Sequence, residues 1–292
     1  MQKHAYCIIA HNNPLLLSAL IEMIDDVRND IFLLIDLKSD IQIFHNIKTT
    51  KSNIYYTPRI DIRWGDISQV KAEFTIFKYA HSKGEYSYYH LLSGVDMPLK
   101  SQDYIHNFFN RNAGKEFVNI PLDYANLNDV KRKTSYRYVL LKYKKHKYFF
   151  VRLITHVIRE IYLTIQKIFK FDYSNGIEYR KGANWVSITN KFCEYLLSKE
   201  EWAYQNLSHV FCPDEIFLQT ILWNSPFLSN VNLRDGLYKG YMRHIDWNRG
   251  TPYVWKEPDF NELITTDDLF ARKFSMDSMN LVNLLKQHIK TT

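Results

Sequence analysis

Ala5-Tyr6-Cys7-Ile8-Ile9-Ala10 leads into His11-Asn12-Asn13-Pro14, then through residues 15–27 to Ile31-Phe32-Leu33-Leu34-Ile35-Asp36. The first and last runs are short and apolar, as buried strands are, and the stretch between them has helical apolar spacing. A strand, a helix and a second buried strand within so few residues predict a βαβ unit with parallel strands. Ligands of such sheets bind beyond the carboxyl ends of the strands, where His11 and Asp36 stand. Neither GxGxxG nor GxxxxGK[ST] occurs. The expected geometry is therefore a nucleotide site without a glycine-rich loop.

Working outward, residues 54–56 read as a third strand. Residues 67–82 read as an amphipathic helix preceded by Arg63-Trp64-Gly65-Asp66. Residues 86–92 form another expected strand, ending at Ser93-Gly94-Val95-Asp96-Met97-Pro98. Ser101 is expected to cap a helix that runs through Phe109. Further strands are expected at 117–120 and 182–189, and a helix at 190–197. From Asn232 the chain reads as strand and loop, with a final helix after Ala271-Arg272-Lys273-Phe274. The economical description is one α/β domain over residues 1–292, with a basic helical insertion at about 131–175.

A hydrophobic fraction of 46% and a charged fraction of 24% are those of a soluble globular protein. The 21 Tyr and 18 Phe supply flat faces for sugars or bases, although cores and interfaces use such residues too. Cys7, Cys193 and Cys212 form neither a disulfide framework nor a zinc pattern, which points to a reducing compartment. No stretch is long and apolar enough for a signal peptide or a membrane span. The formal charge of +7 favours anionic partners: phosphates, a nucleotide, nucleic acid or an anionic lipid surface.

Cys212-Pro213-Asp214-Glu215 leads into the apolar run 216–222. Pro213 suits a first helical turn, so Asp214 and Glu215 are expected at the positive end of a helix dipole. A carboxylate held there can serve as a general base, or be an ordinary first-turn residue. Residues 131–170 are rich in Lys, Arg, Tyr, Phe and Ile, with Glu160 as their only acid. Two readings stand for this segment: a solvated helical insertion packed on the core, or a basic amphipathic surface that lies on anionic lipid.

The segments AYCIIAHNNP, LLIDLKS, RIDIRWGDISQVKAEF, YYHLLSGVDMPLKS, GANWVSITNKFCEYL, CPDEIFLQTILWNSPF, MRHIDW and LFARKF, in that order, carry a resemblance. The chain resembles the Core-2/I-branching glycosyltransferases (glycosyltransferase family 14), which include the peptide O-xylosyltransferases. The similarity spans roughly residues 5–275. It implies a GT-A-like fold with a mainly parallel central sheet flanked by helices, a UDP-sugar donor and an inverting transfer. It also implies that no metal cofactor is needed. No Asp-x-Asp closes an apolar strand here, in agreement with the family.

Something cationic must then meet the charge that develops on the departing diphosphate. By resemblance this is Arg243 with Lys273, and Arg272 is the alternative. Glu215 matches the base that takes the acceptor's proton, and Asp214 is expected to cap its helix. His11, Asp36 and Arg63 match positions near the nucleotide. Trp64, Gly65, Asp96, Trp185 and Asp214 are assigned to the donor or acceptor sugar, although Trp64 and Trp185 also suit a core. Animal members carry an N-terminal anchor and several disulfides. This chain shows neither, so a bacterial, cytoplasmic enzyme is expected, with a lipid-linked surface glycan as acceptor and peripheral contact with the inner membrane face. N-acetylglucosamine and then xylose are the expected sugars. The competing reading is a basic, aromatic-rich module that binds nucleic acid without catalysis. The ordered segments speak against it.

Overall fold

The βαβ unit forms where its apolar runs place it. In the computed structural model, which describes residues 3–291, β1 (His4–Ala10) and β2 (Asn29–Ile35) pair in parallel around α1 (Pro14–Ile24). Residues 1 and 2, the start of the segment read for a signal peptide, lie outside the described residues. The first helix stops short of the expected residue 27. Asp25 turns away and accepts hydrogen bonds from the backbone N–H groups of Thr50, Lys51 and Ser52. That tie fixes the entry to β3 (Asn53–Tyr56).

The chain then forms α2 (Ser68–His81), β4 (Tyr88–Ser93), β5 (Met97–Pro98) and α3 (Gln102–Arg111), whose Ser101 cap accepts from the Tyr104 N–H. Next come α4 (Tyr124–Ser135), α5 (Phe149–Ile168), β6 (Ser187–Thr189), α6 (Asn190–Ser198), α7 (Glu200–Leu207) and α8 (Phe217–Trp223). The last elements are β7 (Arg243–Ile245), α9 (Phe260–Thr265), β8 (Phe270–Arg272) and α10 (Met279–Thr291).

The central sheet has the order β3-β2-β1-β4-β6, parallel throughout except for antiparallel β6. This is the expected α/β class, a mainly parallel sheet flanked by helices. Strand order reverses direction between β1 and β4, the position at which ligands of such sheets bind. One face packs against α1, α10 and the aromatic core around Trp255 and Phe270. The other packs against α2, α6 and α8. A small second sheet, β5-β8-β7, places Arg243 opposite Phe270 at one end of the β7–β8 ladder and Arg272 opposite Ile245 at the other.

Two expected strands shrink. Residues 117–120 are extended and buried but make only an isolated bridge, Phe117 to Ser187. The run 182–189 is a strand only at its end, because its first residues bond elsewhere: Gly182 N–H to the Glu215 carbonyl, and Ala183 N–H to Asn119 Oδ1.

Candidate active site

The carboxylate turn differs from the expected helix start. Pro213–Glu215 is a separate 3-10 turn, and α8 begins only at Phe217. Asp214 therefore does not cap the helix. It is buried, and its Oδ2 accepts from Gln69 Nε2 at 2.7 Å and from Asn184 Nδ2 at 3.0 Å. The same Asn184 amide donates to Glu73 Oε1 at 3.1 Å. Burial, and next the charge of Glu215, pushes Asp214 up to about 7. Burial, with Asp214 behind it, raises Glu73 well above the carboxylate range. The Asn184 hydrogen bond favours the Asp214 carboxylate, but burial and the neighbouring negative charge outweigh it.

Glu215, by contrast, stays part-exposed. Its Oε2 accepts from Lys133 Nζ at 3.1 Å, and Lys181 Nζ stands 3.9 Å away. Lys133 is buried, and it is shared with Asp129 at 3.1 Å. Burial lowers the Lys133 ammonium, but Glu215 and Asp129 outweigh it and the net shift is upward. Glu215 is thus a part-exposed carboxylate held by a buried cation. Nothing in the local sequence joined Glu215 to Lys133, which sits on α4 in the basic stretch.

The loop before α2 braces this turn. Gly65 has φ +75° and a Cβ there would lie 2.6 Å from a Phe211 ring carbon, so only glycine fits. Its N–H donates to Gln69 Oε1, whose amide reaches Asp214, and its carbonyl accepts from the Cys212 N–H. Trp64 is 43% exposed, edge-on to Phe211, with Lys145 Nζ 4.2 Å from its ring centroid. The core alternative for Trp64 is set aside by that exposure.

On the other side lie the carboxyl ends of β1, β2 and β4. His11 is exposed there. Burial, followed by the charges of Lys38 and Arg272 against that of Asp36, lowers its pKa. Those influences put His11, Asp36, Lys38 and Arg272 in one neighbourhood. Asp36 accepts from Lys38 Nζ with both oxygens, at 2.8 and 2.7 Å. Lys38, which the sequence reading passed over, also reaches Asp61, and Asp61 holds Arg63. Asp36 already accepts from Lys38 with both oxygens, so a nucleotide contact there would share this carboxylate with Lys38.

Asp96 is also engaged. Its oxygens accept from Ser93 N–H at 2.7 Å, Ser93 Oγ at 2.9 Å and Arg272 Nη1 at 2.7 Å. It is buried and positions Arg272, in place of the sugar contact expected for it. The Arg272 guanidinium carbon lies 4.4 Å from the Trp185 ring centroid, so one face of that part-buried indole is already covered. Lys273 Nζ has no hydrogen-bond or ion-pair partner among the described residues.

Arg243 is only 3% exposed. It donates to the Tyr241 carbonyl at 3.1 Å, the Val186 carbonyl at 2.9 Å and Ser187 Oγ at 2.9 Å, beneath the Phe270 ring. Burial brings it down to about 10, still cationic at neutral pH. Three of its N–H donors are spent on protein, while its buried Nε has no hydrogen-bond partner. Ser187 Oγ in turn lies 2.7 Å from His90 Nδ1, and His90 Nε2 lies 3.0 Å from His4 Nδ1. Arginine only donates, so Ser187 Oγ accepts from Arg243 and links it to the buried His90–His4 pair. Burial lowers both imidazoles well below their ordinary value, which keeps them neutral.

Residues 184–187 join the two sides. Asn184 meets Asp214, Trp185 lies under Arg272, and Val186 and Ser187 accept from Arg243. The Core-2/I-Branching enzyme family matches residues 4–269. The chain belongs to that family. It is therefore a glycosyltransferase, and the non-catalytic nucleic-acid module is set aside. No curated protein matches this sequence. Among solved structures, apo mouse xyloside xylosyltransferase 1 is similar at 9% identity with a TM-score of 0.43, over 95% of this chain and 99% of that one. No helix among the described residues of this family member is long and apolar enough to cross a membrane.

Proposed function

We propose that this chain is an inverting, metal-independent transferase that moves a sugar from a UDP-sugar to a hydroxyl of a glycan. The observation that carries the reading is the stretch 184–187: Asn184 holds Asp214, next in sequence to the part-exposed, ion-paired Glu215, and Trp185 lies under Arg272, next in sequence to Lys273. Glu215 accepts the acceptor's proton while that oxygen attacks the anomeric carbon from the face opposite UDP. The bond from that carbon to the diphosphate oxygen breaks, and the electron pair leaves with UDP. Lys273 and Arg272 stabilise the new charge directly, and buried Arg243 adds its field from beneath. Fixed cations of this kind make a divalent ion unnecessary. N-acetylglucosamine is the first candidate sugar, and xylose the second.

A lipid-linked surface glycan in a bacterial cytoplasm is the acceptor setting this reading favours. Its support is the three buried, unpaired cysteines, suited to a reducing compartment, and the cation-rich insertion beside Trp64. The test is a screen of UDP-sugars for protection against thermal unfolding, followed by assignment of the product's anomeric configuration. A preferred donor raises the midpoint by mass action. A product that retains the donor's configuration would end the inverting reading.

A further inference from the structure

The helix α5 is amphipathic in the wrong sense for a helix packed on a protein core. Its buried residues are Thr155, Arg159, Leu163 and Gln166, three of them polar. Gln166 is matched to the chain at both ends: its Oε1 accepts from the Arg137 N–H and its Nε2 donates to the Arg137 carbonyl, each at 2.9 Å. Arg159 Nε donates to the Val139 carbonyl at 3.4 Å. The polar stripe is therefore the one that holds the helix to the body.

The apolar stripe faces outward. Phe150 is 74% exposed, Ile154 59% and Ile168 69%, and Leu153, Ile158 and Ile161 are exposed between them. Large aliphatic and aromatic side chains over 20 residues, about 30 Å of helix, form a patch well beyond what a monomer ordinarily leaves in water.

Charge decides what covers it. Residues 131–170 hold twelve Lys and Arg against Glu160 alone, a formal +11, whereas the whole chain carries +7. The rest of the molecule is net acidic, so the basic balance of the protein belongs to this one segment. Lys142 and Lys147 precede the helix, Arg152 lies in its first turn, and Lys167 and Lys170 mark its end, all exposed. A second copy would bring the same cations against these and repel them. An anionic bilayer accepts both features, apolar side chains among its acyl chains and cations at its headgroups.

We propose that α5 lies in the plane of an anionic membrane surface with its apolar face inserted among the lipids. This docking surface stands apart from the catalytic residues and does not depend on the donor or the acceptor. Lys144 and Lys145 at its foot pack over Trp64, so the lipid plane passes close to the Glu215 side of the site.

Flotation of the full chain with vesicles tests this. The two compositions are phosphatidylcholine alone, and phosphatidylcholine with about a third phosphatidylglycerol, at physiological ionic strength. Wild type is expected to float with the anionic vesicles only. Ile154→Ser with Ile158→Ser, and separately Lys142→Glu with Lys147→Glu and Lys170→Glu, are each expected to weaken that binding about tenfold or more, since both the buried apolar area and the cations contribute. Thermal midpoint and UDP-sugar hydrolysis stay at wild-type values, as all five positions are exposed. Wild type that floats with neither composition overturns the proposal. Binding that both variants keep overturns it too. So does sedimentation showing a dimer, in the absence of vesicle binding, that the isoleucine variant dissolves; the face would then close on a second copy.

Discussion

Lys133 donates to Glu215 across 3.1 Å from a buried position, although 82 residues separate the two in the chain. A base in this setting is oriented before any acceptor arrives. Glu215→Gln keeps the shape and removes the anion. Transfer is expected to fall at least about a thousandfold, within reach of a lost general base. UDP affinity by calorimetry should change by less than about threefold, since Glu215 makes no contact with the Arg272 and Lys273 side chains. A variant that keeps a tenth of wild-type turnover would remove Glu215 from the mechanism.

Lys273 is the cation without an internal partner, whereas Arg272 is tied to Asp96 and Ser93. Lys273→Ala should therefore weaken UDP about tenfold, the scale of one lost charge-assisted contact, with little change in thermal midpoint. Arg272→Ala should lower both, because Asp96 is left buried without its cation. Equal thermal midpoints for the two variants would contradict this division.

Activity is expected to survive EDTA. The cations proposed to meet the leaving group are covalently part of the chain and cannot be chelated. Loss of turnover in EDTA with recovery on added manganese would transfer their assigned role to a metal.

The sign of one pH effect follows from Asp214. Its folded value of about 7 lies above the ordinary 3.8. Between those values the folded protein holds a proton that the unfolded chain has released. Stability therefore falls as pH rises through this window. Asp214→Asn removes that slope. Relative to wild type, the variant should gain on the order of 2–4 kcal/mol between about pH 4 and pH 8, measured by urea unfolding. Parallel curves for the two proteins would sink the argument.

Gly182 is expected to tolerate no side chain. A Cβ there would lie 1.8 Å from the Asn119 carbonyl oxygen. Backbone cannot yield as a flexible side chain can, so Gly182→Ala should cost several kcal/mol. It should also lower kcat, since Gly182 N–H donates to the Glu215 carbonyl. An unaltered unfolding midpoint would count against the packing described.

The parallel sheet was legible because β1, β2 and β4 are buried on both faces and spell continuous apolar runs. The strand ends at His11 and Asp36 followed from it. Residues 117–120 and 182–186 misled because buried extended chain looks the same whether or not it pairs with a neighbour. Asp214 misled for a different reason. A proline followed by two acids opens helices, yet here two amides, Gln69 and Asn184, drew the aspartate inward. The engagement of Asp36 by Lys38 and of Asp96 by Arg272 was hidden as well. The second pair is 176 residues apart, and a charge gives no sign in sequence of the partner that will neutralise it. The outward turn of α5 was only half visible: periodicity shows that a helix has two faces, not which one meets the protein.

Residues 184–187 have a kinetic consequence. In this short stretch the Val186 carbonyl accepts from Arg243, the Trp185 ring lies against Arg272 and the Asn184 side-chain amide donates to Asp214. A shift of these residues when a nucleotide arrives is felt at the carboxylate turn without any intermediary. The order in which the two substrates load, and the order in which the products depart, would then be governed by the stiffness of four consecutive residues.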